Sequence, residues 1–479
     1  MTNYTIQDWA AGYISQDQEY DYLIEDIEGK IPPSLEGTLF RNGPGLLDIG
    51  GIPLRHPFDG DGMISRFTFR NGKAHYRNRY VKTEGYLKER SANNILYRGV
   101  FGTQKPGGWL SNIFDINLKN IANTNILYWS GWLLALWEAA EPYRLDPLTL
   151  DTLGIFNLDG ILKKGDAFAA HPRIDPDGPT LVNFALKAGL TSQLTIYEFD
   201  KNGKLIYSNS HKIPGFCFIH DFIITPKYAI FLQNPVKFNL FPFLFGLRGA
   251  GECVEFQPEK TTKIIIIPRR NSQEELLTLE VQAGFVFHHA NAYETDNGIC
   301  LDSICYSALP SVEPDADFRQ TDFSKVEPGQ LWRFNLDFGQ KSVNKELIEA
   351  NCCEFPTLNK DYVGREYRYL FLGSADTAEK ENAPLQRILK LDLVTGEQQA
   401  VSFAPRGFVS EPIFVNDPSG EAEDSGWLLS VVYNAARKAS DLVIINAQNM
   451  SLEATLHLRH HIPYGLHGSW VDECFYKDF

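Results

Sequence analysis

The sequence predicts an all-β fold, a seven-bladed β-propeller. Two observations point to it. Short runs rich in β-branched and aromatic residues alternate with polar turns along the whole chain. Seven of those turns resemble one another and recur 54–76 residues apart, the spacing of propeller blades lengthened by insertions.

The seven markers follow in chain order. "FTFRNGKAHY" turns after Arg70 at an Asn-Gly pair, a strong hairpin signal. Asp146 stands in "YRLDPLTLDTLG" and Asp200 in "IYEFDKNGKLIY". "IIIIPRRNSQ" breaks at Pro268. Asp337, Asp392 and Asn446 hold the same place in "WRFNLDFGQKSV", "ILKLDLVTGEQQAV" and "LVIINAQNMSLEATL". Asp and Asn favour such turns because their side chains accept hydrogen bonds from the backbone just ahead. No Pro/Ser-rich linker or charge block divides the chain, so one large closed architecture fits the sequence as well as several domains.

Composition narrows the function. A net charge of −15 without a basic stripe argues against nucleic acid as a partner. The first residues show no basic stretch followed by an apolar core, and no apolar run is long enough to span a bilayer. The seven cysteines are odd in number and scattered, without a C-x-x-C pair, which suits reduced thiols in a cytoplasmic protein. There is no G-x-S-x-G elbow, Walker A loop or complete G-x-G-x-x-G. "DGDG" at Asp59–Gly62 lacks the spacing of a calcium loop and reads as a turn.

Four of the eleven histidines share a phase. His171, His220, His288 and His467 follow the markers Asp146, Asp200, Pro268 and Asn446 by 25, 20, 20 and 21 residues. A lone apolar histidine is usually a hydrogen-bonded core residue. Four at one phase of a propeller stand near the start of successive inner strands, where they can converge on one ion. Glu354 and Glu411 follow Asp337 and Asp392 by 17 and 19 residues, close to the same phase. Glu138 is a third carboxylate in an apolar setting. A buried carboxylate needs a partner, and the far nitrogen of a metal-bound histidine would supply one. In "FVFHHANAY" the phase fits His288 or His289, while strand alternation lets only one reach the axis.

At these residues the sequence resembles the carotenoid cleavage oxygenase family, nearest to its bacterial apocarotenoid-15,15'-oxygenases. The likeness runs through "EGTLFRNGPG", "HPFDGDGM", "NIANTNILYW", "AHPRIDP", "FIHDFIITP", "GLRGAGE", "FVFHHAN", "GQLWRF", "SEPIFV" and "HGSW". It implies a single domain over residues 1–479, a seven-bladed propeller with a cap of loops and short helices over one face. It implies Fe(2+) held by His171, His220, His288 and His467, so it selects His288 over His289. Glu138, Glu354 and Glu411 resemble carboxylates set behind His220, His288 and His467. Thr124 resembles a residue crowding an open iron position.

The implied reaction uses O2 to cleave the central 15,15' double bond of apocarotenals or apocarotenols, giving retinal and a second aldehyde. Cleavage of another carotenoid bond or of a stilbene, retinoid isomerisation, and a non-catalytic propeller stabilised by its metal are the alternatives. Phe58, Phe101, Trp137, Phe218, Phe287, Tyr306 and Phe355 resemble walls of a substrate tunnel. Two apolar segments suit a membrane surface without spanning it. "GGWLSNIFDINLKN" places Trp109, Leu110, Ile113 and Phe114 at helical spacing, and "VKFNLFPFLFGLRG" carries Phe238, Phe241, Phe243, Leu244 and Phe245. The expected location is cytoplasmic, peripherally associated with membrane.

Overall fold

In the computed structural model, residues 4–271, 273–310, 316–377 and 382–477 are described. Among them, seven antiparallel sheets of four or more strands follow one another as blades. From the inner strand outward, blade 1 is Gly468–Val471, Gly37–Leu46, Asp61–Arg70, Lys73–Tyr80 and Asp21–Ile24. Blades 2, 3 and 4 begin with the inner strands Asn125–Trp129, Arg173–Asp175 and Ile223–Ile224. Blades 5, 6 and 7 begin with Phe285–Thr295, Cys353–Thr357 and Ile413–Asn416.

Every marker turn lies between the third and fourth strand of its blade. The chemistry repeats as well. A side-chain oxygen of Asp146, Asp200, Asp337, Asp392 or Asn446 accepts from backbone N–H groups two to four residues ahead, at 2.8–3.2 Å. In blade 1, Asn71 and Gly72 take φ of 51° and 67°, a two-residue turn whose twist matches its strands.

The core lies between blades. Because both faces of a middle strand are covered, it reads as a continuous apolar run. Ile264 and Ile266 pack toward blade 5, while Ile265 and Ile267 pack toward blade 3. Seven such clusters separate the seven blades.

Both chain ends close the ring. Gly468–Val471 pairs with Gly37–Leu46, with Arg41 opposite Gly468. Ile27–Gly29 pairs with Leu452–His457 at the outer edge of blade 7. Short helices and loops inserted between strands make the cap, among them Glu84–Ala92, Trp109–Ser111 and Leu240–Leu244. All seven cysteines are free thiols.

Candidate metal centre

Each inner strand brings one polar residue to the same end of the ring. His467 immediately precedes the inner strand of blade 1, and Thr124 that of blade 2. His171 and His220 stand two and three residues ahead of those of blades 3 and 4. His288 lies within the inner strand of blade 5, Glu354 within that of blade 6, and Glu411 two residues before that of blade 7. Glu138 is the exception, because it follows the second strand of blade 2, Trp132–Leu136.

The four histidines meet, each offering one nitrogen within 4.8 Å of the others. Five of the six ring-centroid separations are 4.3–5.3 Å, and only His220–His467 is longer, at 6.3 Å. Five short pairs and one long pair are the pattern of four octahedron corners with two adjacent corners left over. A square would give two long pairs.

Three of the rings are oriented by carboxylates through Nδ1. His220 reaches Glu138 at 2.6 Å, His288 reaches Glu354 at 2.6 Å, and His467 reaches Glu411 at 2.8 Å. An Nδ1–H donated to a carboxylate leaves the Nε2 lone pair free to ligate. The Nε2 of His171 and His220 lie 2.8 Å apart, and the buried Nε2 of His288 has no hydrogen-bond partner. Burial pushes the His171 imidazole well below the usual histidine range, and the other three rings reinforce it. Burial also lowers His467, against the pull of Glu411. At His288 burial is outweighed by Glu354, and the net shift is upward. Burial acts to raise Glu354 and Glu411, yet their histidines hold both carboxyls below the usual range. Four converging imidazole nitrogens, three of them on rings backed by a carboxylate, are a donor set that fits a divalent transition metal.

Residues 13–472 match the family described as RPE65, retinal pigment epithelial membrane protein. The apocarotenoid-15,15'-oxygenase of Synechocystis sp. is 55% identical over 478 residues, covering 98% of this chain and 97% of that protein. This chain belongs to the RPE65 carotenoid oxygenase family. The crystal structure of the cobalt-substituted Synechocystis oxygenase superposes with a TM-score of 0.96, at 55% identity, covering 98% of this chain and 100% of that one. Lignostilbene-alpha,beta-dioxygenase isozyme III of Sphingomonas paucimobilis is 30% identical, covering 95% of this chain and 94% of that protein.

Several partners of this cluster were not singled out from the sequence. Arg41 Nη1 donates to Glu411 Oε2 at 2.5 Å. The backbone N–H groups of Gly468 and Phe355 donate to Glu411 and Glu354. Tyr306, expected only as a tunnel wall, also donates its hydroxyl to Glu354 Oε1 at 2.5 Å. His289 stands outside the cluster; it is buried, and its Nδ1 bonds the Ser303 hydroxyl at 2.7 Å.

The aromatic residues surround the cluster unevenly. The ring of Phe287 lies 5.6 Å from that of His220, and Phe355 lies 5.6 Å from both His288 and His467. Phe285 bridges Phe218 and Phe287, and Tyr306 packs edge-on to Phe287. Trp137 is buried beside Glu138. Phe58 and Phe101 form a separate pair around His56, with Phe58 37% exposed. Asp59 holds this loop by accepting from the N–H groups of Phe101 and Thr103. The Thr124 carbonyl accepts from the His467 N–H at 3.2 Å.

The two apolar segments join into one patch. Phe114 N–H donates to the Leu244 carbonyl at 2.7 Å, and its ring meets Phe245. Trp109, Leu110, Phe114, Leu240, Phe241 and Leu247 are exposed. Two expectations need correction. Trp109–Ser111 is a single 3-10 turn rather than a helix, and the chain leaves helical geometry by Phe114, whose φ is 56°. Phe243 is buried rather than exposed, with the Arg98 guanidinium over its ring at 4.6 Å. Phe238, Leu244 and Phe245 are half-buried. Among the described residues, no helix is long and apolar enough to cross a membrane.

Proposed function

We propose that this chain is an iron(II)-dependent oxygenase that cleaves the central 15,15' double bond of apocarotenals or apocarotenols, forming retinal and a second aldehyde. The observation that carries the proposal is the convergence of His171, His220, His288 and His467, three of them backed by a carboxylate. The 55% identity to the Synechocystis apocarotenoid-15,15'-oxygenase supports the choice of substrate.

In this reading the four histidines hold a ferrous ion through Nε2. Bound there, iron supplies the centre at which dioxygen is activated beside a conjugated double bond. The protein's part is orientation and exclusion of water. Glu138, Glu354 and Glu411 fix three imidazole rings by accepting hydrogen bonds from their Nδ1–H groups. Together the three carboxylates and the Arg41 guanidinium offset the metal's double charge in a buried site. Thr124 narrows the space beside His467. Phe58, Phe101, Trp137, Phe218, Phe287, Tyr306 and Phe355 line the path of a rigid polyene and select which bond rests at the metal. The apolar patch around Phe241 rests on one leaflet of a membrane, where such a substrate dissolves. The protein is then a cytoplasmic enzyme held peripherally at that surface.

The test is incubation of iron-loaded protein and O2 with a panel of apocarotenals, carotenes and stilbenes, with the aldehydes identified by chromatography and mass spectrometry. Retinal from apocarotenals is expected. A fully iron-loaded protein that leaves them intact would overturn the proposal.

A further inference from the structure

The three carboxylates behind the histidines are not equivalent. Among the described residues, Glu138 bonds only His220. Glu354 adds a tyrosine hydroxyl and a backbone N–H. Glu411 alone carries a buried cation, and Arg41 is 4% exposed. Arg41 also reaches past the carboxylate, since its Nη2 donates to the Leu466 carbonyl at 2.9 Å. One planar guanidinium therefore grips both the residue before His467 and the carboxylate that orients the His467 ring.

His467 differs from the other histidines in how it reaches the axis. His171, His220 and His288 sit at inner strands whose blades are continuous in sequence. His467 leads a strand from the far end of the chain, which enters blade 1 by pairing with Gly37–Leu46. Arg41 stands at the metal-side end of that seam, opposite Gly468, while Thr38 stands at the other end, opposite Val471.

We infer that Arg41 is a positioning residue for the metal: it makes closure of the ring and orientation of the fourth ligand a single event. This rests on the metal-binding reading above. The inference has a sign. Deleting a positive charge near a cation would by itself tighten metal binding. Deleting a clamp weakens it, because His467 loses its fixed ring angle.

Cobalt(II) affinity, measured on metal-free protein by chelator competition, separates these cases. Arg41→Met is expected to bind roughly 10-fold more weakly, the low end for groups that orient a metal ligand. Its bound cobalt should show altered visible absorption. Arg41→Lys keeps the charge without the fork, so it should recover only part of the affinity, and it serves as the test if Arg41→Met fails to fold. Thr38→Val removes a seam bond away from the site, from Thr38 Oγ1 to the Glu473 carbonyl at 2.7 Å. It should lower the Tm and keep wild-type affinity. Unchanged or tighter binding by Arg41→Met would overturn the inference, as would an equal loss in Thr38→Val. Wild-type protein that takes up no cobalt would overturn the metal reading itself, and this inference with it.

Discussion

The axial cluster and the apolar patch are assembled in opposite ways. At the axis, seven inner strands deliver one polar residue each, and the side chains are fixed by short charged bonds such as His288–Glu354 at 2.6 Å. At the patch, two inserted loops meet, and apolar side chains such as Trp109, Leu110 and Phe241 are left facing outward. What holds the loops lies beneath. The fully buried Arg98 donates to the carbonyls of Asp115, Phe243 and Arg248. Polar atoms are spent inward in both regions. The axis thereby fixes geometry, and the patch is freed to present apolar area.

The comparison breaks first at the axis. His288→Ala should abolish metal binding and turnover, measured by metal analysis and product formation. His289→Ala should keep the metal and cost about 1–3 kcal/mol of stability through the unpaired Ser303 hydroxyl. Equal metal loss in both variants would contradict the separation of the two rings. Next in size, Glu354→Gln should weaken metal binding about 10–100-fold, read by chelator competition.

The patch should respond more mildly. Phe241→Asp with Leu247→Asp should reduce sedimentation with vesicles about tenfold or more, from the lost burial of two large side chains. Turnover of detergent-dispersed substrate should be unchanged. A fall in both would mean that the patch also shapes the site.

The smallest effect concerns the cap. Burial pushes the Asp59 carboxyl up to about 6, against the N–H bonds from Phe101 and Thr103. Because the folded value lies above the unfolded one, protonation favours the fold. That stability is fully present below about 4 and is lost as pH rises through 6. Relative to Asp59→Asn, the wild-type Tm should therefore fall between pH 4 and 7. A constant difference would show that Asp59 stays ionised throughout.

Much of the axis was legible because a propeller repeats. Asp146, Asp200, Asp337, Asp392 and Asn446 mark one kind of turn at one place in five of the seven blades, so residues at a similar distance beyond the markers share a place in space. Glu138 breaks the phase, since it comes from a second strand, and its apolar neighbours alone drew attention to it. Arg41 carried no such signal. It lies 370 residues from Glu411 in sequence, and nothing in its own segment EGTLFRNGPG points to that carboxylate. The exposure of Phe241 and the burial of Phe243 were equally hidden, because both belong to the same apolar run.

By itself, then, the sequence determined the repeat, the turns and the candidate ligands. Those depend on local backbone preference and on the two-residue period of strands, which act over a few residues. Only the tertiary structure decided that the chain's last strand brings His467 to the ring, that Arg41 clamps it, and that two loops share one buried arginine. Those contacts join residues far apart in the chain, and their energy exists only once the ring has closed.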